Sequence, residues 1–130
     1  MSYSILIVDD SAVIRHSLRS CLEQYPDWRV CGEAEDGRAA VEKVKELHPD
    51  GVILDLQMPV MDGLAAARQI TVIAPKTAMV MFTMHSDGQL LKAARAVGIQ
   101  DVVSKSEGVA DHLLASLRNA CHNLSEQKSS

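Results

Sequence analysis

The chain has 130 residues and a mass of 14.1 kDa, the size of one domain rather than two, and it is long enough to bury about two-thirds of the surface its unfolded form exposes. Its 47% hydrophobic and 23% charged residues, with a mean hydropathy of +0.01, describe an ordinary soluble globule. Thirteen basic against seventeen acidic residues leave a net charge of −4, which argues against a broad nucleic-acid or anionic-membrane surface, because both need an excess of Lys and Arg.

Along the chain, short apolar runs bounded by Gly, Pro and Asp alternate with stretches of helical periodicity. Ile5-Leu6-Ile7-Val8 reads as a buried first strand, and Val13, Ile14, Leu18, Cys21 and Leu22 mark one face of a helix closed by Pro26. Trp28 to Ala34 is a weaker strand with Gly32 inside it. Asp36-Gly37 forms a turn and helix start, followed by Ala40, Val41, Val44 and Leu47 on a helix stopped by Pro49. Val52-Ile53-Leu54 lacks alternation and reads as a strand buried on both faces. A loop from Leu56 to Asp62 leads to a third helix carrying Leu64, Ala67, Ile70 and Ile73, and Ala78 to Phe82 is the fourth strand. Leu90, Leu91, Ala94 and Val97 line a helix ending at Gly98, a residue suited to a C-terminal cap. Asp101 to Ser104 is a short fifth strand, and Val109, Leu113, Leu117 and Ala120 line the last helix. From Asn123 the chain is polar and reads as a fraying tail, so the expected division is a domain over 1–122 and a tail over 123–130.

Aromatic residues are only 3% (Tyr3, Tyr25, Trp28, Phe82), so aliphatic and methionine side chains must fill the core. Cys21, Cys31 and Cys121 form neither a disulfide framework nor a zinc-ligand spacing and suit a reducing cytoplasm. The apolar run near Met1 lacks a preceding positive charge, so no signal peptide is expected, and nothing approaches the ~20 apolar residues of a membrane span. The chain therefore reads as cytoplasmic.

Five strands alternating with five helices imply an α/β fold: a doubly wound (βα)5, flavodoxin-like three-layer sandwich. Its parallel sheet order would be 2-1-3-4-5, with the ligand site beyond the carboxyl ends of strands one and three. Strand one ends in Asp9-Asp10, strand three in Asp55, strand four in Thr83 and strand five in Lys105. Three carboxylates converging on one crevice repel one another and raise each other's pKa. A hard divalent cation relieves this, and an all-oxygen set with room for water suits Mg2+. Lys105 and Thr83 add the ammonium and hydroxyl that would hold an anionic oxygen beside the metal. Such a site fits phosphoryl transfer to a carboxylate nucleophile. Asp55 is placed for that role by its central strand, and Asp9 and Asp10 for metal ligation. Singly, each residue has a plainer explanation: Asp9-Asp10-Ser11 as a helix cap, Asp55 as a turn residue, Thr83 as a β-branched strand end, Lys105 as a solvated surface lysine. Independent caps, however, have no reason to occupy four strand ends with complementary chemistry.

With these residues in place, the sequence resembles the receiver domain of two-component response regulators. The likeness is carried by Asp9-Asp10, by Leu54-Asp55-Leu56-Gln57-Met58-Pro59-Val60-Met61-Asp62-Gly63, by Thr83 and by Lys105, and covers residues 4 to about 121. The resemblance implies that Asp55 accepts phosphate from the phosphohistidine of a sensor histidine kinase. It further implies that Asp10, Asp55 and the Gln57 carbonyl bind Mg2+, with Asp9 reaching it through water, and that Thr83 and Lys105 bind the phosphoryl group. Pro59 and Gly63 would shape the loop after the phosphorylation site. Phosphorylation would pull Thr83 inward and shift the surface of the fourth helix, fifth strand and fifth helix, which would contact an output domain or protein partner; pairing of two copies on phosphorylation stays open. Neither nucleic-acid nor membrane contact by this chain is expected.

The segments Val30 to Gly37 and Phe82 to Asp87 look most like receivers of LuxR-type helix-turn-helix regulators. The ~60 residues such an output module needs do not follow Lys105, so a stand-alone receiver and a piece of a longer regulator both stay open. Three positions depart from the family pattern. Ser106 replaces the common Pro after the lysine; it is expected to cap the last helix, with a trans Lys105–Ser106 bond. Val102 replaces the usual aromatic on strand five, on which the rotating-aromatic part of the switch depends. Met84 replaces a small residue, and its bulk would narrow access to the phosphoryl site. Gln57 and His85 stand where the family tunes phosphoryl lifetime, although His85 is equally well a solvated loop residue.

Two other classes compete. An aspartyl-phosphate hydrolase would want a second acid two residues after the nucleophile, where Gln57 cannot transfer the proton. A flavin or nucleotide binder would want a Gly- or hydroxyl-rich loop where Asp9-Asp10-Ser11-Ala12 would repel phosphate. A phosphorylation-independent interaction domain would have no use for the complete acidic set. The expectation is a signalling module, not a turnover enzyme.

Overall fold

A computed structural model describes residues 2–84, 87–107 and 111–129. The element order is β1 (Tyr3–Val8), α1 (Ala12–Leu22), β2 (Trp28–Ala34), α2 (Gly37–Leu47), β3 (Gly51–Leu54), α3 (Gly63–Ile73), β4 (Ala78–Thr83), α4 (Gly88–Ala96), β5 (Asp101–Ser104), a 3-10 turn (Lys105–Glu107) and α5 (Asp111–Ser129). The five strands pair in parallel in the order β2-β1-β3-β4-β5, the doubly wound arrangement expected from the alternation.

Successive strand residues point to opposite faces, so the uninterrupted apolar runs feed two cores. Ile5, Ile7, Ile53, Val80, Phe82 and Val103 pack with Leu18 and Leu22 of α1 and Leu113 and Leu117 of α5. Leu6, Val8, Val52, Leu54, Met79 and Met81 pack with Val41 and Val44 of α2, Ala66, Ala67 and Ile70 of α3, and Ala94 of α4. The buried methionines thus occupy the places that aromatic residues leave vacant.

Four helices start on a side-chain cap. Ser11, Asp36, Asp62 and Asp87 accept from the backbone N–H of Ile14, Ala39, Ala65 and Leu90, each cap contributing about 1 kcal/mol. Gly98 follows α4 at φ +98°, where its missing side chain lets the chain turn left-handed against Thr71.

Two expectations are corrected. Ser106 does not cap α5, which begins at Asp111; its hydroxyl instead pairs with that of Ser104 at 2.7 Å, and its N–H donates to the same Ser104 oxygen at 3.2 Å. A partner two residues back competes for the group that a cap would need. The described residues contain no cis peptide bond, and Lys105–Ser106 is trans as expected. Nor does the chain fray at Asn123: α5 runs through Ser129 because Leu124, buried beside Ala120 and Cys121, extends its apolar stripe. Val109 and His85 lie outside the described residues.

Among the described residues His48 and Val60 are the non-glycines at positive φ, and the β-branched Val60 is the more strained. Val60, in the loop between β3 and α3, sits at φ +69° although it is β-branched and 75% exposed. The left-handed region costs an L-residue roughly 1–2 kcal/mol, of which glycine's extra chain entropy in the unfolded state recovers part. Val60→Gly is therefore expected to stabilise the fold by about 0.5–1 kcal/mol, seen as a higher urea midpoint at unchanged slope.

Candidate functional site

The parallel register brings the strand ends together. Val8 pairs with Leu54, and the Asp55 N–H donates to the Val8 carbonyl at 3.0 Å, so Asp9 and Asp55 leave the sheet side by side. The Asp9 N–H in turn donates to the Ala34 carbonyl at 3.1 Å. Asp9 is almost wholly buried at 1% exposure, Asp55 is buried and Asp10 is exposed. Carboxylate oxygens of Asp9, Asp10 and Asp55 all lie within 4.8 Å of one another.

Lys105, 10% exposed at its side chain, closes the cluster, with Nζ 2.8 Å from Asp9 Oδ2 and 3.1 Å from Asp55 Oδ2. The second oxygens are engaged as well: Asp55 Oδ1 accepts from the Leu56 N–H at 2.7 Å, and Asp9 Oδ1 from the Ser11 N–H at 2.9 Å. Ser11 caps α1 while the Asp9 and Asp10 carboxylates join the acidic cluster, so cap and cluster use different atoms of Asp9-Asp10-Ser11. Thr83 is buried at the end of β4, paired in register with Ser104 beside Lys105. Gln57 is exposed in the loop two residues after Asp55. Met84, next to Thr83, is exposed, and Val102 is half-buried against the core on the α4 side.

Charge in the cluster is only partly balanced. Burial pushes the Asp55 carboxyl upward and the Asp9 charge pushes it further; the bonds from Lys105 and from the Leu56 N–H offset part of this, and the net shift is upward. Burial works against the Lys105 ammonium, but its bonds to Asp9 and Asp55 outweigh that and raise its pKa. A crowded set of hard oxygen donors, still carrying uncompensated negative charge beside a fixed ammonium, fits a hard divalent cation.

The loop from Asp55 to Gly63 is fastened at both ends. Gly63 N–H donates to the Leu56 carbonyl at 2.8 Å, and Gly37 N–H to the Met61 carbonyl at 2.9 Å. A Cβ on Gly63 would lie 2.1 Å from the Asp55 carbonyl oxygen, so only glycine allows this approach.

Residues 5–118 match the family described as the response regulator receiver domain. The chain belongs to that family. This receiver is 44% identical over 108 residues to a protein-glutamate methylesterase/protein-glutamine glutaminase of Methanosarcina acetivorans, a match covering 82% of the chain and 31% of that relative. Among solved structures, the response regulator domain of Thermotoga maritima CheB superposes with a TM-score of 0.85 at 32% identity, over 94% of this chain and 98% of that one. A LuxR-family two-component response regulator from Aurantimonas superposes at 0.83 with 26% identity over the whole of both chains. The likeness to LuxR-type receivers is therefore joined by one to methylesterase receivers. The chain spans about a third of the length of these curated relatives, 31% and 30% for two of them, and the match is to their receiver part.

Sequence inspection alone does not find the ion pairs behind the acidic residues. Arg15 and Arg19 of α1 both bond Glu33 of β2, at 3.0 and 2.7 Å, and together they hold the Glu33 carboxyl low against the opposing effect of its burial. The available signal is the i,i+4 spacing of the two arginines on one helix face.

The raised Asp55 pKa has a consequence for stability. The folded state binds this proton more tightly than the unfolded state, so ionised Asp55 opposes folding at neutral pH, and the penalty fades as pH falls through the folded-state pKa. In metal-free buffer Asp55→Asn is expected to be more stable than wild type at pH 7, with the gap narrowing on acidification. Urea unfolding at both pH values measures it, and a less stable variant at pH 7 would contradict the balance of charges described above.

Proposed function

We propose that this receiver takes a phosphoryl group on Asp55 from the phosphohistidine of a sensor histidine kinase and relays the signal by contact. The observation that carries this reading is Lys105 spanning Asp9 and Asp55 at the ends of β5, β1 and β3 in a chain of the receiver family. Asp10, Asp55 and the Gln57 carbonyl are assigned as the residues that hold Mg2+, with Asp9 acting through water. Held by these residues, Mg2+ would supply the positive charge that balances the phosphoryl oxygens.

The bond from the Leu56 N–H and the contact with Lys105 fix the Asp55 carboxylate. One carboxylate oxygen attacks phosphorus as the P–N bond breaks. The bond's electron pair goes to the imidazole nitrogen, and the ring, protonated at its other nitrogen, leaves neutral. Lys105 then turns from a carboxylate pair to the new phosphoryl oxygens, and the Thr83 hydroxyl donates to another. Redirection of these two side chains, at the ends of β5 and β4, is the proposed origin of the shift in the α4–β5–α5 face. An output domain or protein partner reads that face, and pairing of two copies is one way of reading it.

The 44% identity to methylesterase receivers favours a methylesterase-type output, and the Val30–Gly37 and Phe82–Asp87 segments favour a LuxR-type one. The role assigned here is that of a switch rather than of a turnover enzyme. Among the described residues no helix is long and apolar enough to cross a membrane.

Acetyl phosphate with Mg2+ is expected to add one phosphoryl group to the wild-type chain by intact mass and none to Asp55→Asn, and a chelator is expected to prevent the gain. Asp55→Asn protein that accepts phosphate as well as wild type would overturn the assignment. Lys105→Ala should slow the reaction about a hundredfold or more, the scale for losing a transition-state charge contact. Because only ionised Asp55 attacks and its pKa is raised, Asp55 of the metal-free receiver ionises at higher pH than an ordinary aspartate would. The acid limb of the rate at low Mg2+ should therefore lie above that of an unperturbed aspartate and move down as Mg2+ rises, as a pH series at two Mg2+ concentrations would show.

A further inference from the structure

Arg15 lies behind the acidic cluster and is only 16% exposed at its side chain. Its Nη1 donates to the backbone carbonyl of Asp9 at 2.6 Å, and its Nε donates to Glu33 Oε1 at 3.0 Å. The other Glu33 oxygen accepts from Arg19 Nε at 2.7 Å, and Arg19 also pairs with Glu23 at 3.5 Å. The Asp9 carbonyl belongs to the peptide that joins Asp9 to Asp10, so the plane of that peptide sets where both side chains leave the backbone. Asp9 is then held at four points: its N–H by Ala34, its Oδ1 by the Ser11 N–H, its Oδ2 by Lys105, and its carbonyl by Arg15.

An arginine bonded to the backbone of a cluster residue is an anomaly if its charge alone mattered, because a free guanidinium would compete with a cation for the carboxylates. Glu33 removes the anomaly. It engages the guanidinium from the β2 side and, shared with Arg19, anchors it where it can reach a carbonyl. We propose that Arg15 is a positioning residue for divalent-cation binding, oriented by Glu33, that fixes the Asp9–Asp10 peptide in the ligating direction. The inference rests on the metal-dependent reading of the site given above.

Charge and position predict opposite signs, which makes the test decisive. If Arg15 acts through its charge, Arg15→Gln removes a nearby cation and tightens Mg2+ binding. If it acts by position, the same change weakens binding. Calorimetric Mg2+ titration of Arg15→Gln and Glu33→Gln is expected to show weaker binding in both, by about tenfold for Arg15→Gln, the scale for losing a group that orients a metal ligand. The acetyl phosphate reaction of Arg15→Gln should need correspondingly more Mg2+ and recover at saturation, so the defect lies in metal affinity rather than in maximal rate. Arg118→Gln, which loses the exposed pair with Asp27 at the opposite end of the sheet, serves as the control and should bind Mg2+ as wild type does. Arg15→Gln that binds Mg2+ as tightly as wild type, or more tightly, would overturn the proposal. Where Arg15→Gln does not fold, unchanged affinity in Glu33→Gln overturns it instead. Wild-type protein that binds no Mg2+ would sink the functional reading itself, a distinct failure.

Discussion

Like charges crowded in a partly buried place are the constraint around which this molecule is arranged. Asp9 and Asp55 emerge from adjacent parallel strands whose register, Val8 against Leu54, leaves them no way to separate. In water two carboxylates at this spacing would repel by about 1 kcal/mol, and by more where solvent is excluded. The fold supplies one fixed ammonium, Lys105, and it comes from β5, two strands away from β3. With strands about 4.8 Å apart, only a long side chain spans that distance. Lysine also suits the task because its ammonium is a point charge on a flexible stem. It can lie between two carboxylates in one state and turn to another anion in the next.

The surroundings are correspondingly stiff. The loop from Asp55 to Gly63 is tied to Leu56 at one end and, through Met61, to the first residue of α2 at the other. Glycine stands at both ties, because a Cβ on Gly37 would lie 2.3 Å from the Met61 carbonyl oxygen and one on Gly63 closer still to that of Asp55. The positive φ of Val60 shows the cost of that tight path: the backbone is held in a conformation its own side chain disfavours, because the contacts on either side leave no other route. Stiffness matters here because an unbalanced carboxylate set in a soft loop would relax apart. The site would then lose the negative density that suits it to a cation.

Much of this was legible in the sequence, for a specific reason. Strands buried on both faces are written as apolar runs, and the residue that ends each run stands at the carboxyl edge of the sheet. Asp9-Asp10, Asp55 and Lys105 could therefore be placed in one crevice from position alone, once the strand order followed from handedness. The parts that were not legible depend on partners distant in sequence or on local competition. Arg15 meets Glu33 only once α1 lies against β2, and the i,i+4 spacing of Arg15 and Arg19 hints at a shared partner without naming it. Ser106 looked like a cap because a serine before a helix usually is one, but Ser104 offers its oxygen first. The last turns of α5 looked like a tail because their residues are polar. A solvated helical face is also polar, and only the burial of Leu124 separates the two.

A phosphoryl group on Asp55 would also have to be felt at the surface. Val102, opposite Met81 in the sheet, is β-branched and stiff at its first torsion, with its side chain against the α4-side core. It lines a hollow of about 210 Å³ with Asp87, Gly88 and Leu91 at the start of α4. A side chain of this kind cannot report by swinging between an inward and an outward position, as a long aromatic could. For the proposed switch, the displacement on β5 must instead travel through the main chain. Lys105 begins the turn directly after the strand, and the Ser104–Ser106 hydroxyl pair closes that turn on itself. A pull on Lys105 therefore acts on a short, internally bonded segment rather than on a loose loop. The hollow beside Val102 leaves α4 room to follow without overpacking a filled core. The departures at positions 102 and 106 thus belong together: with no aromatic to rotate and no proline to lock the turn, hydroxyl bonding and free volume are left to carry the change.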